Sequence, residues 1–204
     1  MGSNTIVTIG RQFCSKGNEI GQALSVRLGI PYYDDFILEK AAADHGIPVA
    51  YAEHYDEKPA SPFEQSVAMA SFFYSTAETM ATTQEQLSQA QRRTILELAE
   101  QGPCIIVGRC ANFILRGRDN VLNVFVTAPV VDCVRRVMET DGLNLEEAEK
   151  KIKKIDKRRA DYFKYFTGRQ WQDAALYDLC LNTGHMSEQT CVDIVKAYMN
   201  ARFE

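Results

Sequence analysis

The sequence predicts an α/β fold: a doubly wound, mostly parallel sheet of five strands held between two layers of helices. Three observations predict it. Short apolar runs lack the strict alternation of a half-exposed strand, so they read as strands covered on both faces. Amphipathic stretches alternate with these runs, and parallel strands need such crossovers, which are right-handed. The first run, Thr5 to Ile9, passes through an irregular polar loop straight into a helix.

Each element follows from local signals. The helix after the loop runs from Gly17 to Leu28, with Ile20, Leu24 and Leu28 on one face and Gly29 as its stop. A short second strand is expected at Pro31 to Tyr33. Residues 36–81, interrupted by Pro48, Pro59 and Pro62, read as an inserted helical lobe. A long helix is expected from Thr82 to Glu100, then a strand at Cys104 to Val107 between Gly102-Pro103 and Gly108. Val121 to Ala128 forms the next strand, stopped by Pro129 and followed by a helix from Val130 to Thr140. The Lys- and Arg-rich stretch from Leu145 to Tyr165 forms a helix within a charged, aromatic excursion at 144–173. Leu179 to Leu181 is the last strand, and a helix from Ser187 to Met199, with Ser187 as N-cap, closes the chain. No linker divides the 204 residues, which suffice for a single domain.

Composition excludes several function classes. A net charge of −4 gives no general attraction to nucleic acid or to an anionic membrane. No run of eighteen apolar residues is present, and Met1 to Asn4 does not open a secretory signal, so a cytoplasmic location is expected. The six cysteines form no C-x-x-C pair, which argues against zinc. Cys104, Cys133 and Cys180 read as small buried hydrophobes, while Cys14 and Cys110 fall in loops at the site. His45, His54 and His185 are scattered, so no metal centre is expected. The apolar patch of Phe63, Met69, Phe72, Phe73 and Tyr74 is either lobe core or a homodimer contact.

The loop is the strongest functional signal. Backbone N–H groups at the start of a helix cradle anions and need no particular side chain to do so. Gly10, Arg11, Cys14, Ser15, Lys16, Gly17, Asn18 and Glu19 are therefore the expected phosphate-binding residues. The usual G-x-x-x-x-G-K-[ST] frame is not met. Lys16-Gly17 stands in reversed order, and Asn18-Glu19 replaces the expected magnesium-binding hydroxyl. Arg11 or Lys16 is left to supply charge, and Ser15 a hydroxyl. Asp34, just past the second strand, is either an acceptor-binding carboxylate or the N-cap of the next helix. Lys40 follows at a reach suited to a phosphate. Arg109, at a strand's carboxyl end, suits bidentate contact with phosphate or a base edge.

Several segments, in order and at their spacings, resemble the cytidylate kinase-like family of P-loop nucleoside monophosphate kinases across nearly the whole chain. They are Ile9-Gly10-Arg11-Gln12-Phe13 with Ser15 and Gly17, Leu28-Gly29-Ile30-Pro31-Tyr32-Tyr33-Asp34, and Gly102 to Ala111. Asp156-Lys157-Arg158-Arg159-Ala160 and Tyr177-Asp178-Leu179 to Asn182-Thr183 complete the set. The resemblance implies the three-layer α/β/α fold of P-loop NTPases, with ATP and Mg²⁺ and a small-molecule nucleotide acceptor. It implies that 36–81 is the acceptor lobe and 144–173 the lid. Lys16, Arg158 and Arg159 would act in catalysis, with Asp34, Lys40 and Arg109 at the acceptor. Asp156 would hold a lid arginine, and Arg135 or Arg136 would stack on adenine or lie on a helix surface. Cys110 departs from the acid that follows the arginine in related kinases. Two further readings stay open: a nucleotide-binding regulatory protein with little catalysis, and a kinase of a non-nucleotide metabolite.

Overall fold

The computed structural model describes residues 4–44, 46, 50, 52, 56, 57 and 83–203. His45, His54, the three lobe prolines, the apolar patch and most of the expected inserted lobe lie outside these residues. The described chain runs β1 (Ile6–Arg11), α1 (Gly17–Leu28), β2 (Tyr32–Tyr33), α2 (Asp35–Asp44), α3 (Thr83–Gln101), β3 (Ile105–Val107) and α4 (Ala111–Ile114). It continues as β4 (Val121–Thr127), α5 (Val130–Asp141), α6 (Leu145–Thr167), β5 (Leu179–Asn182) and α7 (Glu188–Phe203).

The five strands form one sheet in the order β2-β3-β1-β4-β5, and every pairing is parallel. β1 sits at the centre, with Val7 opposite Ile105 on one side and Leu122 on the other. Both faces are covered, as the unbroken apolar runs require. Ile6 packs with Ile95, Leu98, Ile106 and Leu115 on one face, while Val7 packs with Ile20, Leu24, Val192 and Val195 on the other. Successive residues of β1 point to opposite faces, yet Ile6 and Val7 are both fully buried. The strand order reverses beside β1, and open α/β sheets bind ligands in the crevice at such a point.

Helix ends follow capping chemistry. Gly29 (φ 66°) closes α1 in left-handed backbone and donates its N–H to Ser25. Asn144 and Glu147 form a reciprocal capping box that starts α6. Ser187 Oγ accepts from the Thr190 N–H at 3.0 Å, the cap expected of it. α5 and α6 form a hairpin sealed by Cys133, Val134, Val137, Ala148 and Ile152, and Phe13 and Cys14 of the loop after β1 pack against that seal.

One expectation is corrected. Cys104 and Cys133 are buried, but Cys180 is exposed. It lies on β5, an edge strand of the sheet, where Leu181 takes the inward position and its neighbour faces outward. Among the described residues no helix is long and apolar enough to cross a membrane.

Leu24 anchors α1 on the sheet and is fully buried. Leu24→Ala is expected to lower unfolding free energy by about 2–5 kcal/mol. Urea denaturation should show a lower midpoint with an unchanged slope.

Candidate functional site

The loop after β1 is wound by two non-glycine residues in left-handed backbone, Cys14 (φ 57°) and Lys16 (φ 67°). Such residues are uncommon and cluster where surrounding structure enforces them. Ser15 is buried, and its hydroxyl donates to the Gln12 carbonyl at 2.8 Å, so it locks the loop internally. Thr183 Oγ1 donates to the Ser15 carbonyl, and Arg136 Nη1 donates to the Cys14 carbonyl at 2.6 Å. Arg136 therefore braces the loop, while Arg135 pairs with Asp132 on the surface of α5. The Phe13 N–H donates to Asp156 Oδ1 at 2.7 Å, which ties α6 directly to the loop. Burial raises the Asp156 pKa, and the Phe13 N–H and Arg159 oppose that rise. The cleft so formed is lined by residues 11–19, Gln22 and, from α6, Arg159.

Lys16 occupies the left-handed cap of α1, where a glycine would sit most easily. Gly17 cannot be larger: a Cβ there would lie 2.4 Å from Arg11 Cβ. Burial raises the pKa of the Cys191 thiol on α7, and the Lys16 charge opposes that rise; Lys16 itself lines the loop cleft.

Beside the loop, charges gather in a dry network. Arg11 donates to Asn18 Oδ1 at 3.0 Å and Glu57 Oε1 at 2.9 Å, and reaches Asp34 Oδ1 at 3.4 Å. Arg109 pairs with Asp34 through Nη1, with Asp56 at 2.9 Å and with Asp35 at 3.3 Å. Arg159 donates from Nε to Glu57 Oε2 at 2.9 Å and from Nη1 to the Arg11 carbonyl at 3.2 Å. Asn18 Nδ2 donates to Asp34 Oδ2 at 2.6 Å. Gln91 bridges the far side, donating to Asp56 at 3.0 Å and accepting from the Tyr162 hydroxyl at 3.2 Å. A tight turn aims Arg109 inward: Gly108, Arg109 and Cys110 all have positive φ. Gly108 is needed for clearance as well, since a Cβ there would meet Arg11 Nη1 at 2.3 Å and Glu57 Oε1 at 2.7 Å. Behind the network, Tyr162, Trp171 and Tyr177 wall a small cavity closed by Arg11, Glu57, Arg109 and Arg159.

Burial alone would raise the Glu57 pKa, but Arg11, Arg159 and Arg109 outweigh it and hold the carboxyl well below its usual range. Arg109 is raised further above its ordinary value, because Asp56, Glu57 and Asp34 outweigh its burial. Arg159 is lowered by burial and by the nearby Arg11, against the pull of Glu57.

The structure thus brings Arg11, Asp34, Asn18, Arg109 and Arg159 together. The Asp34 side chain accepts from Arg11, Arg109, Asn18 and the Tyr32 hydroxyl, and its backbone carbonyl meets α2, accepting from the Ile37 N–H at 3.2 Å. Lys40 pairs instead with Asp44 at 2.6 Å and Glu97 at 3.4 Å. Arg158 keeps a buried Nε with no partner among the described residues. Lys150, Lys153 and Lys157 form solvated pairs on the outer face of α6. Asp56, Glu57 and Gln91 were not singled out by sequence. Gln91 carried a readable signal, a polar residue on the apolar stripe of Leu87, Ile95 and Leu98. Asp56 and Glu57 carried none, being two acids in a polar stretch.

A five-stranded parallel sheet between two layers of helices, with a strand-to-helix loop at its switch point, is the three-layer fold shared with P-loop kinases. The chain belongs to the cytidylate kinase-like family, whose sequence model matches residues 6–185. It is 33% identical over 116 residues to a cytidylate kinase of Methanopyrus kandleri, covering 53% of this chain and 60% of that protein. It is 30% identical over 105 residues to a cytidylate kinase of Thermococcus kodakarensis, covering 52% and 53%. The chain thus spans between half and two thirds of the length of these relatives. An uncharacterized protein from Eubacterium ventriosum has a similar structure, with a TM-score of 0.73 and 25% identity over 97% of this chain and 99% of that one. A shikimate kinase of Bacteroides thetaiotaomicron shares the fold at a TM-score of 0.53 and 12% identity, covering 96% and 98%.

Two outcomes follow from this geometry. Glu57 has a folded pKa below its ordinary 4.5, so its contribution to stability is complete above that pH and declines as pH falls below it. Acid unfolding followed by circular dichroism should therefore be steeper below pH 4.5 for the wild type than for Glu57→Gln. Gly17→Ala must displace Arg11, and thermal melting should register a loss of about 1–3 kcal/mol.

Proposed function

We propose that the protein is an ATP-dependent phosphotransferase that moves the γ-phosphoryl group, with Mg²⁺, to a nucleoside monophosphate, with CMP the first acceptor to test. The observation that carries this reading is the loop cleft itself: a helix N-terminus wound to present backbone N–H groups, with Arg159 entering from a separate helix. The names of the curated relatives supply the acceptor class.

Phosphoryl transfer needs no nucleophilic side chain. An oxygen of the acceptor phosphate bonds to the γ-phosphorus as the bond to the ADP oxygen breaks, in line, and negative charge spreads over the equatorial oxygens. The loop would hold the donor phosphates. Arg159, and Arg158 beside it, would neutralise charge on the transferring group, and Lys16 would add charge at the start of α1. Asp34 and Arg109 would orient the acceptor, with α6 closing over the cleft as a lid and 36–81 supplying the acceptor lobe. Closure excludes water and sets the reacting atoms in line. No cluster of three or more carboxylate, thiol or imidazole ligands exists among the described residues. A magnesium ion would be held chiefly by the nucleotide phosphates, which it would help to neutralise. Glu19, exposed where it lines the cleft, would meet a bound magnesium ion through water.

A coupled assay of ADP release with ATP·Mg²⁺ and CMP tests the reading. CMP-dependent release is expected, with Arg159→Ala lowering kcat by about 10³-fold or more. ATP binding with no release across a panel of nucleoside monophosphates and small alcohols would overturn it in favour of a regulatory nucleotide-binding protein.

A further inference from the structure

The reversed loop raises a charge problem. A side chain at position 17 is excluded by Arg11, and Lys16 stands one residue earlier, on the left-handed cap of α1. A triphosphate in the cleft would draw on a second cation beside Lys16; Arg11 and Arg159 both line the loop cleft and the buried network, and Arg11 spends its three nitrogens on Asn18, Glu57 and Asp34. Arg159 Nε is fixed by Glu57 and its Nη1 by the Arg11 carbonyl, which leaves Nη2 without a partner among the described residues.

Glu57 is unusual on three counts. It is a non-glycine residue in left-handed backbone (φ 50°), and such strain persists where the surroundings enforce it. It is buried, with each carboxylate oxygen given to a different arginine at 2.9 Å. It also sits beside a glycine that admits no Cβ, so the backbone of β3's end is shaped around it. A structural ion pair needs one arginine. Two guanidiniums side by side repel, and a shared carboxylate between them fixes the orientation of both.

We propose that Glu57 is a positioning residue for the donor triphosphate: it locks Arg159 so that the free edge of that guanidinium supplies the cation that a lysine at position 17 would otherwise provide. The proposal rests on the kinase reading. It gives Glu57 no contact with the nucleotide; the effect passes through Arg159.

Calorimetric titration of the full chain with ATP·Mg²⁺ and, separately, with inorganic tripolyphosphate tests it, each variant being checked by its circular dichroism melt. Glu57→Gln is expected to weaken both ligands by about 10-fold or more, with Glu57→Asp recovering part of the loss. Arg159→Met is expected to weaken them at least as much. The double variant should bind no worse than Arg159→Met alone, because Glu57 has nothing left to orient. Losses that multiply in the double variant would overturn the proposal. So would unchanged or tighter binding by Glu57→Gln, the latter marking Glu57 as a counter-anion that phosphate must displace. Should Glu57→Gln fail to fold, Arg159→Lys reads the same geometry: it keeps the charge but cannot engage Glu57 and the Arg11 carbonyl together. It should weaken binding by about 5-fold or more, and unchanged affinity would overturn the proposal. Binding by the wild type with unaltered variants removes only the role of Glu57. A wild type that binds neither ligand removes the kinase reading and this proposal with it.

Discussion

Everything near the cleft depends on keeping three guanidiniums, Arg11, Arg109 and Arg159, in a dry space. A buried arginine cannot shed its proton, so each needs a carboxylate close by. Those carboxylates come from different stretches of chain: Asp34 from the end of β2, Asp56 and Glu57 from beyond α2. Pairing thus draws together β1, β3, α6 and a segment remote from all of them. Replacing such a network by apolar residues is often neutral for stability, whereas removing one partner alone leaves a buried charge uncompensated.

The backbone is shaped by that requirement. β1 must end where Arg11 can turn across the sheet, and Gly17 and Gly108 leave the space through which it passes. The turn after β3 holds three consecutive residues at positive φ and so delivers Arg109 to Asp34 and Asp56. Asp156 and Arg136 then fasten the loop after β1 to the α5–α6 hairpin. Loop, hairpin and network are mechanically continuous, and a change in the position of α6 must be felt at Phe13 and Arg159 together.

The fold was legible in the sequence because its signals are local. Apolar runs of Ile and Val gave the buried strands, and Gly29 and Ser187 marked helix ends through capping chemistry that acts within a few residues. Of the site, Arg11, Asp34, Arg109 and Arg159 were legible from their places at strand ends and on a basic helix. Their partners were not. Glu57 bonds Arg159 across 102 positions of chain and Arg11 across 46, and no pattern of spacing encodes such pairs. Cys180 was misread for a related reason: strand identity is local, whereas edge position is a property of the whole sheet.

The central claim is that the loop cleft holds nucleotide phosphates under a cation from α6. A crystal structure of the chain with ADP, Mg²⁺ and CMP tests it most directly. The account predicts the diphosphate seated on the N–H groups at the start of α1, with Arg159 within hydrogen-bond distance of a terminal oxygen and still paired with Glu57. A nucleotide bound away from the loop, or an Arg159 turned out of the cleft with the diphosphate in place, would contradict it.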